Sequence, residues 1–234
     1  MIKKIIKYDF KKINKLLFIL YLITFTLSVI NLFFKYGTSD ISVATFLLTT
    51  DFAFIFAFSS LFFTFILTFA RFRSSLFKDE AYLTHTLPIE KGALYDAKVI
   101  VSIITILIGM IVFGICFIYI FSHTSVSEFI INTMKDEENN IKVLTFCIGF
   151  VLQGLLLFFC AINSLIIANK YNKKRDFLCF LLFFLIYFLT LVIEFIITSI
   201  IFDNIVITLL IDLLIVIVYY ISGKIMFKKG FNIE

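Results

Sequence analysis

Six long apolar runs, separated by shorter polar segments, constrain this sequence more than any other feature. Each run is long enough to cross about 30 Å of hydrocarbon as an α-helix, which rises about 1.5 Å per residue. Strands of a membrane barrel would instead alternate apolar and polar residues over about 10 positions. The pattern therefore predicts an all-α integral membrane protein whose six spans form a single transmembrane domain. The predicted spans are residues 16–34, 46–70, 99–121, 143–168, 177–200 and 205–221.

The composition also indicates a membrane protein. Hydrophobic residues make up 62% of the chain and 33 of its 234 residues are phenylalanine, which is more than a soluble core of this size can bury. The four cysteines lie in apolar runs without a C-x-x-C pair, so neither a metal site nor a disulfide framework is expected. The lysine-rich N-terminus suggests a signal peptide as an alternative, but the run of about 19 apolar residues lacks an A-x-A-like cleavage site. We expect a retained span.

Lysine and arginine are concentrated at alternate ends of the predicted spans. Positive residues favour the cytoplasmic side of a membrane. With the N-terminus in the cytoplasm, 18 of the 21 basic residues lie on that side, and only Lys35, Lys135 and Lys142 lie outside. This distribution predicts a multi-pass membrane protein with both termini cytoplasmic. Because the positive charge serves to anchor the chain, membrane lipid is an expected partner and nucleic acid is not.

Residues 1–15 have an amphipathic helical pattern. Five apolar side chains share one arc of this helix, namely Ile2, Ile5, Ile6, Phe10 and Ile13. Lysines occupy the other arc, which is typical of a helix that lies on the membrane interface. Asp9 falls on the apolar arc and suggests a contact with another protein element. The alternative is that the lysines only fix the topology.

Motifs of the common hydrolases are missing from the sequence. It has no G-x-x-x-x-G-K-[ST] loop for ATP, and the segment Gly223-Lys224-Ile225 lacks the upstream glycine and the hydroxyl residue such a loop needs. It has neither the H-E-x-x-H pair of zinc proteases nor the G-x-S-x-G turn of serine hydrolases. We therefore predict that this chain is not an enzyme.

Five residues in the predicted spans are candidates for function. Asp51, Glu194 and Asp212 are ionisable, and such residues in a membrane are functional candidates by default. They would line an outer vestibule or gate, or serve only as acids that reach water near helix ends or pair with neighbouring helices. Gln153 and Asn163 are candidates for the same translocation path, although polar residues more commonly bond helices together.

The second predicted span has two contrasting faces. Small side chains recur on one face, which suits close helix packing. They are Ala53, Ala57, Ser60, Thr64 and Thr68. Phenylalanines recur on the opposite face, at Phe54, Phe58, Phe62, Phe65 and Phe69. Such a face commonly contacts lipid, and the alternative is that Phe54, Phe58 and Phe62 line a path for a hydrophobic substrate.

Residues 71–98 form a long polar segment on the predicted cytoplasmic side. Ser74 or Ser75 could cap a short helix that runs to about Thr84. Pro88, the only proline, would begin a second helix that continues into the third span. We expect this segment, two helices separated by a break, to dock onto another protein. The alternative is a loop that merely connects the second and third spans.

The string FKDEAYLTHTLPIEKGALYDAKVI, residues 77–100, resembles the stretch between spans two and three in ABC-2-type (type V-like) permeases of bacterial ABC exporters. The matching positions are Phe77, Asp79, Glu80, Tyr82, Leu83, Thr86, Leu87, Pro88 and Lys98. Ala81 stands where the family usually has a glycine or another small residue, and no role is carried onto the less typical His85. The predicted architecture extends the resemblance over the whole chain.

The resemblance implies that the segment contains a coupling helix that fits into a separate ABC ATPase subunit. ATP and magnesium would bind in that partner, and this chain would need no cofactor. It also implies that two permease chains, identical or different, form the transporter. The residues implied to couple to the ATPase are Ser75, Phe77, Lys78, Asp79, Glu80, Tyr82, Leu83, Thr84 and Pro88.

The cargo implied by the resemblance is an amphipathic, antimicrobial or toxin peptide, or another hydrophobic compound, because small permeases of this kind often export such molecules. Two alternatives to an exporter subunit stay open. One is an ion-coupled secondary transporter that uses Glu194 and Asp212. The other is a membrane scaffold or immunity protein that transports nothing and recruits a partner through residues 71–98.

Overall fold

The computed structural model describes the backbone of residues 2–35, 40–77, 90–121, 137–170, 175–201 and 205–229. Within these ranges, the regular secondary structure is α-helical, as the sequence predicts. The helices, numbered in chain order, are α1 Ile2–Lys35, α2 Asp40–Phe77, α3 Lys91–Phe121, α4 Glu137–Ala168, α5 Arg175–Ile201 and α6 Ile205–Lys228.

All six helices are long and apolar enough to cross a membrane, which confirms the number of spans predicted from the sequence. The shortest has 24 residues and the longest 38, so their axes extend for about 36 to 57 Å at 1.5 Å per residue. Hydrocarbon is only about 30 Å thick, so every helix continues beyond its predicted span at one or both ends. A helix satisfies its own backbone hydrogen bonds, as lipid requires.

Large apolar side chains cover much of the outer surface of these helices. On α5, phenylalanines are exposed at Phe177, Phe180, Phe184, Phe188 and Phe195. Soluble monomers rarely expose contiguous apolar surface of this extent. The surface and the six long helices are those of a multi-pass membrane protein.

The chain forms two compact units, and several helices contribute to both. The first unit contains residues 1–7, 69–103 and 143–234. The second contains residues 8–68 and 104–142. The second unit therefore holds most of α1 and α2 with the later part of α3. The first unit holds α5, α6 and most of α4, together with the end of α2 and the beginning of α3.

In the second unit, the small side chains of α2 form its packed face, as predicted. Ala53, Ala57, Ser60, Thr64 and Thr68 are all at least 98% buried. The hydroxyl groups of Ser60, Thr64 and Thr68 donate hydrogen bonds to carbonyl oxygens of α2 itself, at 2.7 Å each. These bonds satisfy the hydroxyl groups within α2, and Thr64 also shares a hydrogen bond of 2.8 Å with the Tyr21 hydroxyl of α1.

Residues 2–15 continue into the first span without a helix boundary, since α1 is uninterrupted from Ile2 to Lys35. The structure therefore does not confirm a separate interfacial helix. Asp9 is only 2% exposed, and Ile13 and Leu17 are buried on the same side of α1. Asp9 thus faces the protein interior, as its position on the apolar arc predicts.

Candidate functional site

The segment between α2 and α3 carries most of the predicted coupling residues. Residues 78–89 lie outside the described ranges, and with them Lys78, Asp79, Glu80, Tyr82, Leu83, Thr84 and Pro88. The two helix ends that flank this segment are described. α2 ends at Phe77 and α3 begins at Lys91. Their contacts, all within the first unit, define the candidate site.

Ser75 does not begin a short helix. It lies near the end of α2, is fully buried, and donates a hydrogen bond from its hydroxyl to the carbonyl oxygen of Phe72 at 3.1 Å. The predicted cap at Ser74 or Ser75 is therefore wrong, because α2 continues through both residues as far as Phe77. The serine pair is typical of a helix cap, but α2 is uninterrupted here and the Ser75 hydroxyl bonds to a carbonyl oxygen of the same helix.

An ion pair joins the end of α2 to the beginning of α5. The Arg73 guanidinium donates a hydrogen bond to the carboxylate of Asp176. Asp176 is in the first turn of α5, where a carboxylate also interacts favourably with the exposed N–H groups of the helix. Its side chain is 70% exposed, so this pair contributes little to stability and mainly sets a distance between two helix ends.

A second ion pair joins the beginning of α3 to the end of α6. The Lys224 ammonium lies 2.5 Å from one carboxylate oxygen of Asp96, and the Tyr220 hydroxyl donates to the other oxygen at 2.7 Å. Lys224 also lies 5.7 Å from the centre of the Tyr220 ring. Since the Asp96 and Lys224 side chains are only 30% and 29% exposed, this contact is better shielded from water than the first.

Aromatic rings pack beside the second ion pair. Tyr95 is fully buried and its ring centre lies 6.2 Å from that of Phe72, 6.0 Å from Tyr220 and 5.6 Å from Phe227. Phe77, the last residue of α2, lies 6.2 Å from Phe227. We call Phe72, Phe77, Tyr95, Tyr220 and Phe227 the aromatic cluster. It holds the end of α2, the beginning of α3 and the end of α6 together.

Two glycines permit this close approach of α3 and α6. A Cβ atom on Gly223 would lie 2.5 Å from the Tyr95 hydroxyl and 3.1 Å from the side-chain oxygen of Asn163. A Cβ atom on Gly92 would lie 2.4 Å from Cε of Lys228, whose flexible side chain can move aside. Gly223 thus allows α6 to pack closely against Tyr95 of α3.

Asn163 bonds α4 to α6 at the level of Gly223. It is 2% exposed, and its amide donates to the carbonyl oxygens of Phe159 and Tyr219, each at 3.0 Å. Ser222 donates to its side-chain oxygen at 3.3 Å. These bonds match the interhelical role that the sequence offers for a buried asparagine.

A second group of polar residues consists of Gln153 of α4, Glu194 of α5 and Asp212 of α6. The Gln153 amide donates to a carboxylate oxygen of Glu194 at 3.1 Å and also interacts with the Asp212 carboxyl group. Glu194 lies seven residues, or about 10 Å, before the C-terminal end of α5. Asp212 lies the same distance after the N-terminal end of α6. We call these residues the carboxyl cluster.

The other path candidates belong to the second unit. Asp51 is exposed on α2. Phe54, Phe58 and Phe62 are 38%, 58% and 60% exposed. The rings of Phe54 and Phe58 contact Phe117 and Phe113 of α3, with ring centres 6.5 Å apart in each pair. The structure brings none of these four residues into the carboxyl cluster.

The sequence interpretation missed both ion pairs. It assigned Arg73 and Lys224 to membrane anchoring and gave no role to Asp96 or Asp176. The available signal was that Asp96 and Asp176 are acids at span ends otherwise rich in lysine and arginine. Their partners are 128 and 103 positions away in the chain, so the pairing requires the structure.

Among the described residues, no group of three or more histidine, cysteine, aspartate or glutamate side chains is arranged to hold a metal ion. No protein-family model, no curated protein and no solved structure matches the chain.

Proposed function

We propose that this chain is the membrane-spanning permease subunit of an ATP-driven exporter, and that a separate ATPase subunit docks on residues 78–89. The observation that carries the proposal is that both helix ends flanking this segment are fastened to other helices of the first unit. Arg73 fastens the end of α2 to α5, and Asp96 fastens the beginning of α3 to α6. The resemblance of residues 77–100 to ABC-2-type permeases supplies the identity of the partner.

These contacts give a physical route for a displacement. If the ATPase moves residues 78–89, the ends of α2 and α3 move with them because the chain is covalently continuous. The aromatic cluster makes the end of α2, the beginning of α3 and the end of α6 move together, since its rings are closely packed. The exposed ion pair of Arg73 and Asp176 adds only a weak link to α5. The helix that responds most directly is therefore α6, which carries Asp212.

The complete transporter would contain two permease chains and two ATPase subunits in the bacterial cell membrane, with both permease termini in the cytoplasm. ATP and magnesium would be bound by the ATPase alone. The cargo would be an amphipathic peptide of the antimicrobial or toxin kind, or another hydrophobic compound. Switching of the helices would open a path for it alternately towards the two sides of the membrane.

The docking step is tested by co-purification with an ABC ATPase from the same genome. Phe77 packs against Phe227, so replacing it would disturb this chain as well as the interface. The informative variant is therefore Asp79→Asn with Glu80→Gln, and its control is Glu137→Gln with Glu138→Gln, which removes the same charge elsewhere. We expect the first pair to lose the ATPase and the control to retain it. Equal retention by both would contradict docking at residues 78–89.

The carboxyl cluster favours a second candidate function, an ion-coupled secondary transporter. Two carboxyl groups that share one amide inside apolar helices could bind a proton or sodium ion, because ionisable groups at such sites commonly mark ion pathways. In proteoliposomes without an ATPase, this function predicts solute uptake driven by a proton or sodium gradient and abolished by Asp212→Asn. Uptake that requires ATP and the ATPase would exclude it.

A further inference from the structure

One carboxylate oxygen of the carboxyl cluster is fully buried and has no hydrogen-bond partner among the described residues. This atom is Oε1 of Glu194. The other oxygen, Oε2, accepts a hydrogen bond from the Gln153 amide at 3.1 Å. A buried oxygen without a partner is costly, and the cost is greatest when the group carries its negative charge. The ionised form of Glu194 therefore requires a counter-charge.

The spans that form the cluster contain no basic residue. Residues 143–168 and 177–223 have neither lysine nor arginine. Thiol and phenol groups are ordinarily neutral at neutral pH, and they become negative rather than positive when they titrate. The cluster thus has no counter-charge within these spans. The other titratable side chains that interact with Glu194 are Cys160, Tyr187 and Tyr219.

The basic residues at the ends of these helices are too far from the cluster. On α4, Lys142 lies about 16 Å before the cluster along the helix axis, and on α6, Lys224 lies about 18 Å after it. Arg73 binds the first turn of α5, about 27 Å from Glu194. An ion pair requires a separation of about 4 Å or less. A positive charge at the cluster must therefore come from outside α4, α5 and α6.

Among cations, a proton fits this site best. Hard metal cations take several oxygen ligands, but the main-chain carbonyl groups of these helices are bonded within the helices. Gln153 also presents an N–H group to the cluster, and an N–H group cannot bind a metal ion. A cationic side chain of a cargo would have to reach Oε1 of Glu194, which is fully buried. A proton needs no additional room and removes the charge.

We propose that the carboxyl cluster holds an exchangeable proton on Oε1 of Glu194. A proton from water forms the O–H bond at Oε1, and this bond breaks when the proton returns to water. The site goes beyond the proposed exporter and specifies the ion for the second candidate function. It requires only the folded chain in a membrane, so it is independent of docking to an ATPase and of transport.

Infrared spectroscopy of the full-length chain in lipid bilayers, without an ATPase, tests the proposal. A protonated carboxyl group has a C=O stretching band that an ionised one lacks, and the band shifts when deuterium replaces the proton. Glu194→Gln is the test variant, because its amide has nearly the shape of a protonated carboxyl group. Asp51→Asn is the control, since Asp51 is an exposed acid near the beginning of its predicted span.

At neutral pH, we expect the band to lose the area of one carboxyl group in Glu194→Gln and to stay unchanged in Asp51→Asn. In the unmodified chain, this part of the band should disappear at high pH and should not respond to sodium. Gln153→Leu removes an N–H group that favours the ionised form of Glu194. The proton concentration that keeps half of the band should then fall about tenfold to a hundredfold.

An unchanged band in Glu194→Gln would overturn the proposal, because the proton would not be on Glu194. Loss of the band on adding sodium at constant pH would also overturn it, since sodium would then be the occupant. If Glu194→Gln does not fold, the pH titrations of the unmodified chain and of Gln153→Leu decide. Equal midpoints in these two titrations would contradict a proton held beside the Gln153 amide.

Discussion

The two units of this protein are held together by different kinds of contact. In the first unit, ion pairs, hydrogen bonds and the aromatic cluster join helix ends that are far apart in sequence. In the second unit, small residues bring helices close together, as where Ala53 and Ala57 pack with Cys116 and Ile120. Polar and aromatic contacts between distant parts of the chain are thus added to close packing in the first unit, whereas the second unit depends mainly on small residues that recur along α2.

The largest expected effect breaks the packing of the first unit. Gly223→Ala would place a Cβ atom 2.5 Å from the hydroxyl of the rigid, fully buried Tyr95. We expect a loss of about 2–3 kcal/mol of stability, the upper part of the usual range for an overpacked core. Thermal unfolding in detergent measures it. Gly92→Ala is the control, because the Lys228 side chain that it would meet can move, and an equal loss in both variants would contradict this account.

The corresponding test of the second unit is Gly109→Ala. Its Cβ atom would lie 2.8 Å from Thr64 and 2.9 Å from the Tyr21 hydroxyl, which are joined by a hydrogen bond of 2.8 Å. We expect a loss of about 1–2 kcal/mol, since three helices meet here. Gly114→Ala on the same helix has no neighbour within 4 Å and should be neutral or slightly stabilising in the same unfolding measurement. Destabilisation by Gly114→Ala alone would show that the packing is wrongly described.

A smaller effect separates the two ion pairs of the first unit. Asp96→Ala removes the partner of both Lys224 and Tyr220, at a site less exposed than Asp176, and should lower stability more than Asp176→Ala does. Asp176→Ala removes a far more exposed partner and should cost less than about 1 kcal/mol. Denaturant unfolding of the two variants gives the comparison. A larger loss of stability in Asp176→Ala than in Asp96→Ala would show that the exposed ion pair stabilises the contact between helices more than the other pair does.

The sequence predicted the six helices because span length and apolar content depend on local composition alone. It also predicted the packed face of α2, since Ala53, Ala57 and Ser60 recur with the helical period. It also predicted that the third span is preceded by a helical segment that begins at Pro88 and runs through Lys98, and α3 is helical from Lys91, three residues later than predicted. Helix ends outside the hydrocarbon lack the signal that identifies a span.

The candidate site was predicted only in part. Gln153, Glu194 and Asp212 could each be identified, because a polar residue within an apolar run stands out. Their meeting could not be predicted, since it depends on how α4, α5 and α6 are rotated about their axes. The ion pairs of Arg73 with Asp176 and of Asp96 with Lys224 could not be predicted for the same reason. The functional roles assigned to all of these residues stay predictions.

The most direct test of the central claim is a charge exchange between Asp96 and Lys224. Inverted membrane vesicles that contain this chain and the ABC ATPase that co-purifies with it would be assayed for ATP-dependent uptake of a fluorescent amphipathic peptide. We predict that Asp96→Lys and Lys224→Asp each abolish uptake while the ATPase still co-purifies, and that the double variant restores it. Normal uptake by either single variant, or uptake without ATP, would contradict the account.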